Sequence, residues 1–123
     1  MEKKTIPLAV PDVGDEEINE IKKVFDTKFL TEGQTTKEFE EQVASYLGVK
    51  HAIAVTSCTT GLHAVFEGLD IKGQEVLVPD YTYPATAEAV VLAGGIPVIT
   101  DVDIDSMNMT TEILEEGYNE KMT

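Results

Sequence analysis

The chain has 123 residues, of which 42% are hydrophobic and 26% are charged, a composition typical of one globular domain. Its 23 acidic and 9 basic residues give a formal net charge of −14, which argues against nucleic-acid and anionic-membrane partners because both bind clustered cations. The single cysteine, Cys58, excludes an intrachain disulfide and a cysteine-based zinc site, and the lack of an apolar leader or membrane-length segment favours a cytoplasmic protein.

Residues 1–50 are predicted to form an extended, proline-containing arm followed by two helices. Apolar residues recur at helical spacing over 15–26, which predicts the first helix. The pair Thr35 and Glu38 has the spacing of a capping box and predicts the start of the second helix. Gly48 is a typical residue just beyond a helix C-terminus, so we expect the second helix to end there.

From residue 51 onwards, short apolar runs alternate with helical patterns and predict a β-α-β-α-β order. The expected strands are near 51–56, 75–79 and 96–101, with helices over 60–69 and 84–93 and a further helical segment at 111–116. Continuous apolar strands imply a parallel sheet covered by helices on both faces, which is a three-layer α/β fold. Because both edges of so small a sheet would be unpaired, we expect 51–123 to be the incomplete start of a larger α/β domain.

The segment 57–62, with sequence SCTTGL, is the strongest candidate for a binding site. It follows a predicted strand and opens a predicted helix. The first N–H groups of a helix have no partner within it, and the helix dipole adds partial positive charge, so this turn suits a phosphate. Hydroxyls at Ser57, Thr59 and Thr60 would add donors. The alternative is that these residues only cap the helix, which Ser and Thr commonly do.

Two further segments follow predicted strands and are expected at the same edge of the sheet. In open α/β sheets ligands bind beyond the carboxyl ends of the strands. Tyr81 and Tyr83 follow the second strand, and Asp101 and Asp103 follow the third. An anion site with neighbouring aromatic rings suits a flat, phosphorylated ligand whose ring stacks on one of the tyrosines. Ordinary packing of both tyrosines is the alternative interpretation.

Other residues give weaker hypotheses. Cys58 at a helix start is a candidate nucleophile, but neither His51 nor His63 has a spacing that places a base beside it. The two histidines also lack the carboxylate motif of a metal site, and no metal is expected. The aspartates at 101, 103 and 105 alternate like calcium ligands without the glycine and glutamate of a calcium loop, so turn formation explains them better.

Five segments in register resemble the sugar aminotransferase family, the DegT/StrS group of pyridoxal-phosphate enzymes of fold type I. Each motif alone is weak, but their order and spacing together are specific. They span nearly the whole chain, at residues 29–33, 39–52, 57–62, 82–87 and 94–108. The resemblance implies the N-terminal portion of the large domain of such an enzyme. It also implies a homodimer with active sites at the subunit interface.

The same resemblance implies four cofactor-binding residues, which are Cys58, Thr59, Thr60 and Tyr83. Thr59 and Thr60 would hold the phosphate of pyridoxal phosphate through backbone N–H and hydroxyl groups, and Tyr83 would stack on the pyridine ring. Cys58 stands where the family commonly has Gly or Ser, and Gly61 where Ala is common. Both replacements are small, so the turn should be preserved.

The resemblance also implies that catalytic residues are missing from this chain. The Schiff-base lysine and the aspartate that pairs with the pyridinium nitrogen would both lie beyond Thr123, so no catalytic residue is assigned. The implied activity is transamination of a nucleotide-linked keto-sugar with glutamate or glutamine as donor, in amino-sugar or polysaccharide biosynthesis. The chain alone is expected to be inactive. Two alternatives are a non-catalytic remnant that self-associates and a small phosphate- or nucleotide-binding α/β domain.

Overall fold

The computed structural model describes residues 6–120 and residue 122, and the first five residues of the predicted arm lie outside them. No helix in this part of the chain is long and apolar enough to cross a membrane. The chain divides into two compact units, Met1–Ala54 and Val55–Thr123. The elements in chain order are α1 (Asp15–Thr27), α2 (Gln34–Leu47), α3 (Cys58–Gly68), β1 (Glu75–Pro79), α4 (Ala85–Leu92), β2 (Ile96–Thr100) and α5 (Thr111–Gly117).

The first unit contains the two predicted helices, α1 and α2. The predicted capping box of α2 is wrong, because the helix starts earlier, with Gly33 as its N-cap. The carboxylate of Glu38 instead accepts a hydrogen bond from Nε2 of Gln34 at 3.0 Å, so it does not reach back to the helix start. The predicted end of α2 is confirmed, since Gly48 is its C-cap with φ of 67°, a left-handed conformation that suits glycine.

The second unit is built on a parallel pair of strands. The register places Glu75 opposite Ile96 at one end and Pro79 opposite Thr100 at the other. On one face Val78 packs with the completely buried Val90 of α4. On the other face Leu77 lies close to Gly117, at the end of α5. Helices therefore cover both faces of the sheet, and the predicted three-layer α/β architecture with a parallel sheet is confirmed.

The predicted strand over 51–56 is wrong. Within residues 6–120 and 122, the sheet consists of β1 and β2, and Met122 adds an isolated parallel bridge to Glu75. A strand needs a neighbouring backbone, and the backbone N–H of Ala54 donates instead to the side-chain carboxylate of Glu40 at 2.8 Å. The apolar run is consequently not packed in a sheet, and Ile53 is 81% exposed. The observed order is two helices followed by α-β-α-β-α.

Candidate functional site

The first turn of α3 carries a network of three hydroxyl groups. Ser57 is the N-cap, and its Oγ accepts a hydrogen bond from the backbone N–H of Thr60 at 3.2 Å. The Oγ1 of Thr60 lies 2.9 Å from Ser57 Oγ and 3.2 Å from Thr56 Oγ1. Ser57 therefore caps the helix, as the capping interpretation predicted, and both the backbone N–H and the hydroxyl of Thr60 take part in this network.

Two backbone donors in the same turn remain available. Among the hydrogen bonds of the described residues, none uses the N–H of Cys58 or of Thr59, the first two residues of α3. The hydroxyl of Thr59 has no partner there either, and the thiol of Cys58 is exposed. Two unpartnered N–H groups, a hydroxyl and the positive end of the helix dipole form a donor set of the kind that binds a phosphate.

The connection between β1 and α4 presents the two tyrosines. Its start is held to β2, because the N–H of Asp80 donates to the carbonyl of Thr100 at 2.9 Å. Further along, Thr82 Oγ1 lies 2.9 Å from Thr86 Oγ1, and the N–H of Thr86 donates to the carbonyl of Tyr83 at 3.0 Å. Tyr83 itself is 78% exposed, so the faces of its ring are open to a ligand.

The structure brings the predicted site residues together in two groups. Cys58, Thr59 and Thr60 share one helical turn, whereas Tyr83 lies in the β1–α4 connection. Helices α3 and α4 pack against each other, but no hydrogen bond between described residues joins the two segments. The carboxyl ends of β1 and β2 are adjacent as predicted, because Pro79 pairs with Thr100. Among the described residues no strand leads into α3, so the expected third strand end is not formed there.

The aspartates after β2 form a turn. Oδ1 of Asp103 accepts the backbone N–H of Ser106 at 2.8 Å. That backbone bond, together with the Ser106 hydroxyl, holds the pKa of the Asp103 carboxyl below its ordinary value. Asp101 accepts the neighbouring N–H of Val102 at 2.8 Å. The described residues contain no group of three or more side chains arranged to hold a metal ion.

The residues of the cysteine hypothesis are not assembled in the structure. Nε2 of His63 lies 3.2 Å from the carboxylate of Glu67, one turn further along α3. No hydrogen bond between described residues joins Cys58 to a histidine. Sequence reasoning missed a different pair, the hydroxyl bond between Thr82 and Thr86. Two threonines four residues apart across Pro84 are the signal that would have indicated it.

Comparison with known proteins identifies relatives over nearly the whole chain. Residues 11–122 match the DegT/DnrJ/EryC1/StrS aminotransferase family. The spore coat polysaccharide biosynthesis protein SpsC of Bacillus subtilis is 33% identical over 111 residues, which cover 89% of this chain. A protein described as a sugar aminotransferase, Spr1654 of Streptococcus pneumoniae, has a structure in its PLP form that superposes with a TM-score of 0.90 at 30% identity over 98% of this chain.

A relative with a different reaction is similarly close. The structure of E. coli GDP-4-keto-6-deoxy-D-mannose-3-dehydratase with bound hydrated PLP superposes with a TM-score of 0.88 at 29% identity over 95% of this chain. The chain spans only part of each of these proteins. It covers 28% of SpsC, 31% of Spr1654 and 32% of the dehydratase.

Proposed function

The chain belongs to the DegT/DnrJ/EryC1/StrS aminotransferase family, and we propose on that basis that it is part of a pyridoxal-phosphate enzyme that modifies sugars. The proposed reaction is amination of a nucleotide-linked keto-sugar with glutamate or glutamine as donor. SpsC supports a role in polysaccharide biosynthesis, because its name places it in that process. Spr1654 supports the transamination, because it is described as a sugar aminotransferase.

The observation that carries the proposal is the pair of unpartnered N–H groups at Cys58 and Thr59. A cap that serves only the helix needs one side-chain acceptor, which Ser57 already supplies to Thr60. The two further donors fit a phosphate group, and the aminotransferase and the dehydratase relatives both have structures with PLP. The residues present therefore fit the cofactor.

Each site residue has a defined part in this proposal. The N–H groups of Cys58 and Thr59 and the hydroxyl of Thr59 bind the phosphate. The hydroxyl of Thr60 has a single proton, so it can donate to the phosphate and keep its bond to Ser57 only where the Ser57 hydroxyl is the donor in that bond. The ring of Tyr83 stacks on the pyridine ring, which as part of the bound cofactor supplies an electron sink for reactions at an amino-bearing carbon.

Pyridoxine 5′-phosphate tests the cofactor site in this chain, because it has the ring and phosphate of the cofactor but an alcohol in place of the lysine-reactive aldehyde. We expect the amide resonances of Cys58 and Thr59 and the ring resonances of Tyr83 to shift during a titration. Pyridoxine, which lacks the phosphate, is the control and should leave Cys58 and Thr59 unchanged. Binding that shifts only residues outside these segments, or no binding, would contradict the proposal.

A non-catalytic, self-associating module is the second candidate. The observation that favours it is the exposure of apolar side chains, with Phe39 at 59% and Leu47 at 63%. Association through such surfaces would compete with the repulsion of a net charge of −14, which is screened beyond about 8 Å at physiological ionic strength. We propose that the chain forms a homodimer or larger assembly. A monomer by light scattering at every protein and salt concentration would refute it.

A further inference from the structure

A hydroxyl bond closes the segment that carries Tyr83. Thr82 Oγ1 and Thr86 Oγ1 are 2.9 Å apart, one residue before Tyr83 and two residues into α4. The backbone N–H of the same Thr86 donates to the carbonyl of Tyr83 at 3.0 Å. Thr86 is thus bonded to Tyr83 directly and to the residue that precedes it. The two bonds together restrict the backbone on both sides of the tyrosine.

Tyr81 gives an internal comparison in the same connection. The two tyrosines have similar exposure, 70% for Tyr81 and 78% for Tyr83. No hydrogen bond between described residues uses the backbone of Tyr81, whereas the carbonyl of Tyr83 is bonded. Tyr83 also precedes Pro84, and a residue before proline is disfavoured in the helical region. The backbone of Tyr83 is therefore the more constrained of the two.

We propose that Thr82 and Thr86 are positioning residues, whose hydroxyl bond fixes the backbone of Tyr83 so that its ring is set for stacking on a flat heteroaromatic ring. This inference rests on the proposed function, in which that ring belongs to pyridoxal phosphate. An aromatic side chain on an ordered backbone loses less conformational entropy when the ligand binds. The hydroxyl bond therefore increases affinity without touching the ligand.

The first experiment measures backbone order in the unliganded chain by 15N relaxation. We expect an order parameter of about 0.85 at Tyr83 and a lower value at Tyr81. Thr82→Val keeps the shape of the side chain but removes the hydroxyl bond, so order at Tyr83 should fall towards that of Tyr81. Thr82→Ser keeps the hydroxyl and should restore it. Unchanged order at Tyr83 in Thr82→Val, or an equal fall at both tyrosines, would overturn the inference.

The second experiment measures the affinity for pyridoxine 5′-phosphate. One lost hydrogen bond predicts roughly two- to tenfold weaker binding in Thr82→Val, with Thr86→Val reproducing the loss and Thr82→Ser close to the unsubstituted chain. In a Tyr83→Ala background, Thr82→Val should have no further effect, because the bond acts through the tyrosine. A loss of the same size in that background would overturn the positioning role.

The two measurements separate failure of this inference from failure of the proposed function. If Tyr83→Ala weakens binding and Thr82→Val does not, the cofactor site stands and the positioning role is refuted. If the unsubstituted chain does not bind pyridoxine 5′-phosphate, the cofactor site is refuted. The order parameters of Tyr83 then decide on their own whether the hydroxyl bond fixes this backbone.

Discussion

The two compact units differ in where their apolar side chains lie. Neither α1 nor α2 in Met1–Ala54 has a buried residue, although both show a clear apolar face. Every buried hydrophobic among the described residues lies in the second unit, and the set is Ile71, Val78, Ala85, Ala89, Val90 and Ala93. Apolar periodicity therefore identifies the side of a helix that favours burial, but it does not show what covers that side.

Truncation of one apolar side chain in each unit tests this difference with the largest expected effect. Val90 is completely buried and Phe39 is 59% exposed. Val90→Ala should lower the free energy of unfolding by about 2–3 kcal/mol, because it removes buried methyl groups and leaves a cavity. At protein concentrations low enough to keep the chain dissociated, Phe39→Ala should change it by no more than about 0.5 kcal/mol, because the side chain is then mostly in water.

Urea unfolding followed by amide resonances of α4 and of α2 measures both changes. The α4 resonances report the second unit, and the α2 resonances report the first. A loss in Phe39→Ala as large as that in Val90→Ala would show that the apolar face of α2 is covered in solution. The two units would then not differ in whether their apolar side chains are covered.

Gly95 gives a second test of packing in the second unit. A Cβ added there would lie 2.7 Å from Ile71 Cδ1 and 2.9 Å from Val90 Cγ1, which is closer than such atoms approach without movement. Gly95→Ala should cost about 1–2 kcal/mol through overpacking. Gly68 is the matched control, because a Cβ there meets nothing within 4 Å. Gly68→Ala should therefore be neutral or slightly stabilising in the same unfolding measurement.

The helix caps provide a third test, with a smaller expected effect. Ser57 supplies a side-chain cap to α3, whereas Gly33 at the start of α2 supplies none. Ser57→Ala should cost about 1 kcal/mol, and Ser57→Gly only a few tenths, because glycine leaves the first N–H groups open to water. Thermal unfolding monitored by circular dichroism gives the ranking. Stability of Ser57→Ala equal to that of the unsubstituted chain would show that the Ser57 hydroxyl network adds nothing to α3.

Local signals in the sequence predicted most of the second unit. The strands at 75–79 and 96–100 and the helices between and after them follow from short apolar runs bounded by turn residues. Pro84 marks the start of α4, with φ of −51°. The strand expected at 51–56 is the main error, since pairing depends on a distant partner. The side chain of Glu40 bonds that backbone instead, which no local pattern indicates.

The candidate site was predictable as a set of residues but not as a set of bonds. The small hydroxyl residues of 57–60 indicated a helix start with free donors, and the structure has such donors at Cys58 and Thr59. The engagement of Thr60 by Ser57 and Thr56 depends on side-chain rotamers. The same holds for Thr82 and Thr86. The roles of Cys58, Thr59, Thr60 and Tyr83 towards pyridoxal phosphate stay predictions, which the pyridoxine 5′-phosphate titration tests.

The smallest expected effects come from two exposed carboxyl groups, one in each unit. The backbone N–H of Gly14 donates to Glu17 at 2.6 Å and lowers its pKa from the ordinary 4.5. The backbone N–H of Ser106 is the main cause that lowers the pKa of Asp103 from the ordinary 3.8, and the Ser106 hydroxyl adds to it. Both carboxylates accept local hydrogen bonds, so we expect the pKa of one carboxyl group to be lowered in each unit.

A lowered pKa in the folded chain determines the direction in which its stability changes with pH. Each carboxylate stabilises the folded chain at pH values above its ordinary pKa, and this stabilisation is lost as the pH falls through the lowered value. An NMR pH titration should find both groups titrating below 4.5 and 3.8 respectively. Ser106→Ala should raise the pKa of Asp103 only part of the way, because the backbone N–H remains, and should leave Glu17 unchanged. A full return of Asp103 to 3.8 in this variant would show that the hydroxyl, not the backbone N–H, is the main cause.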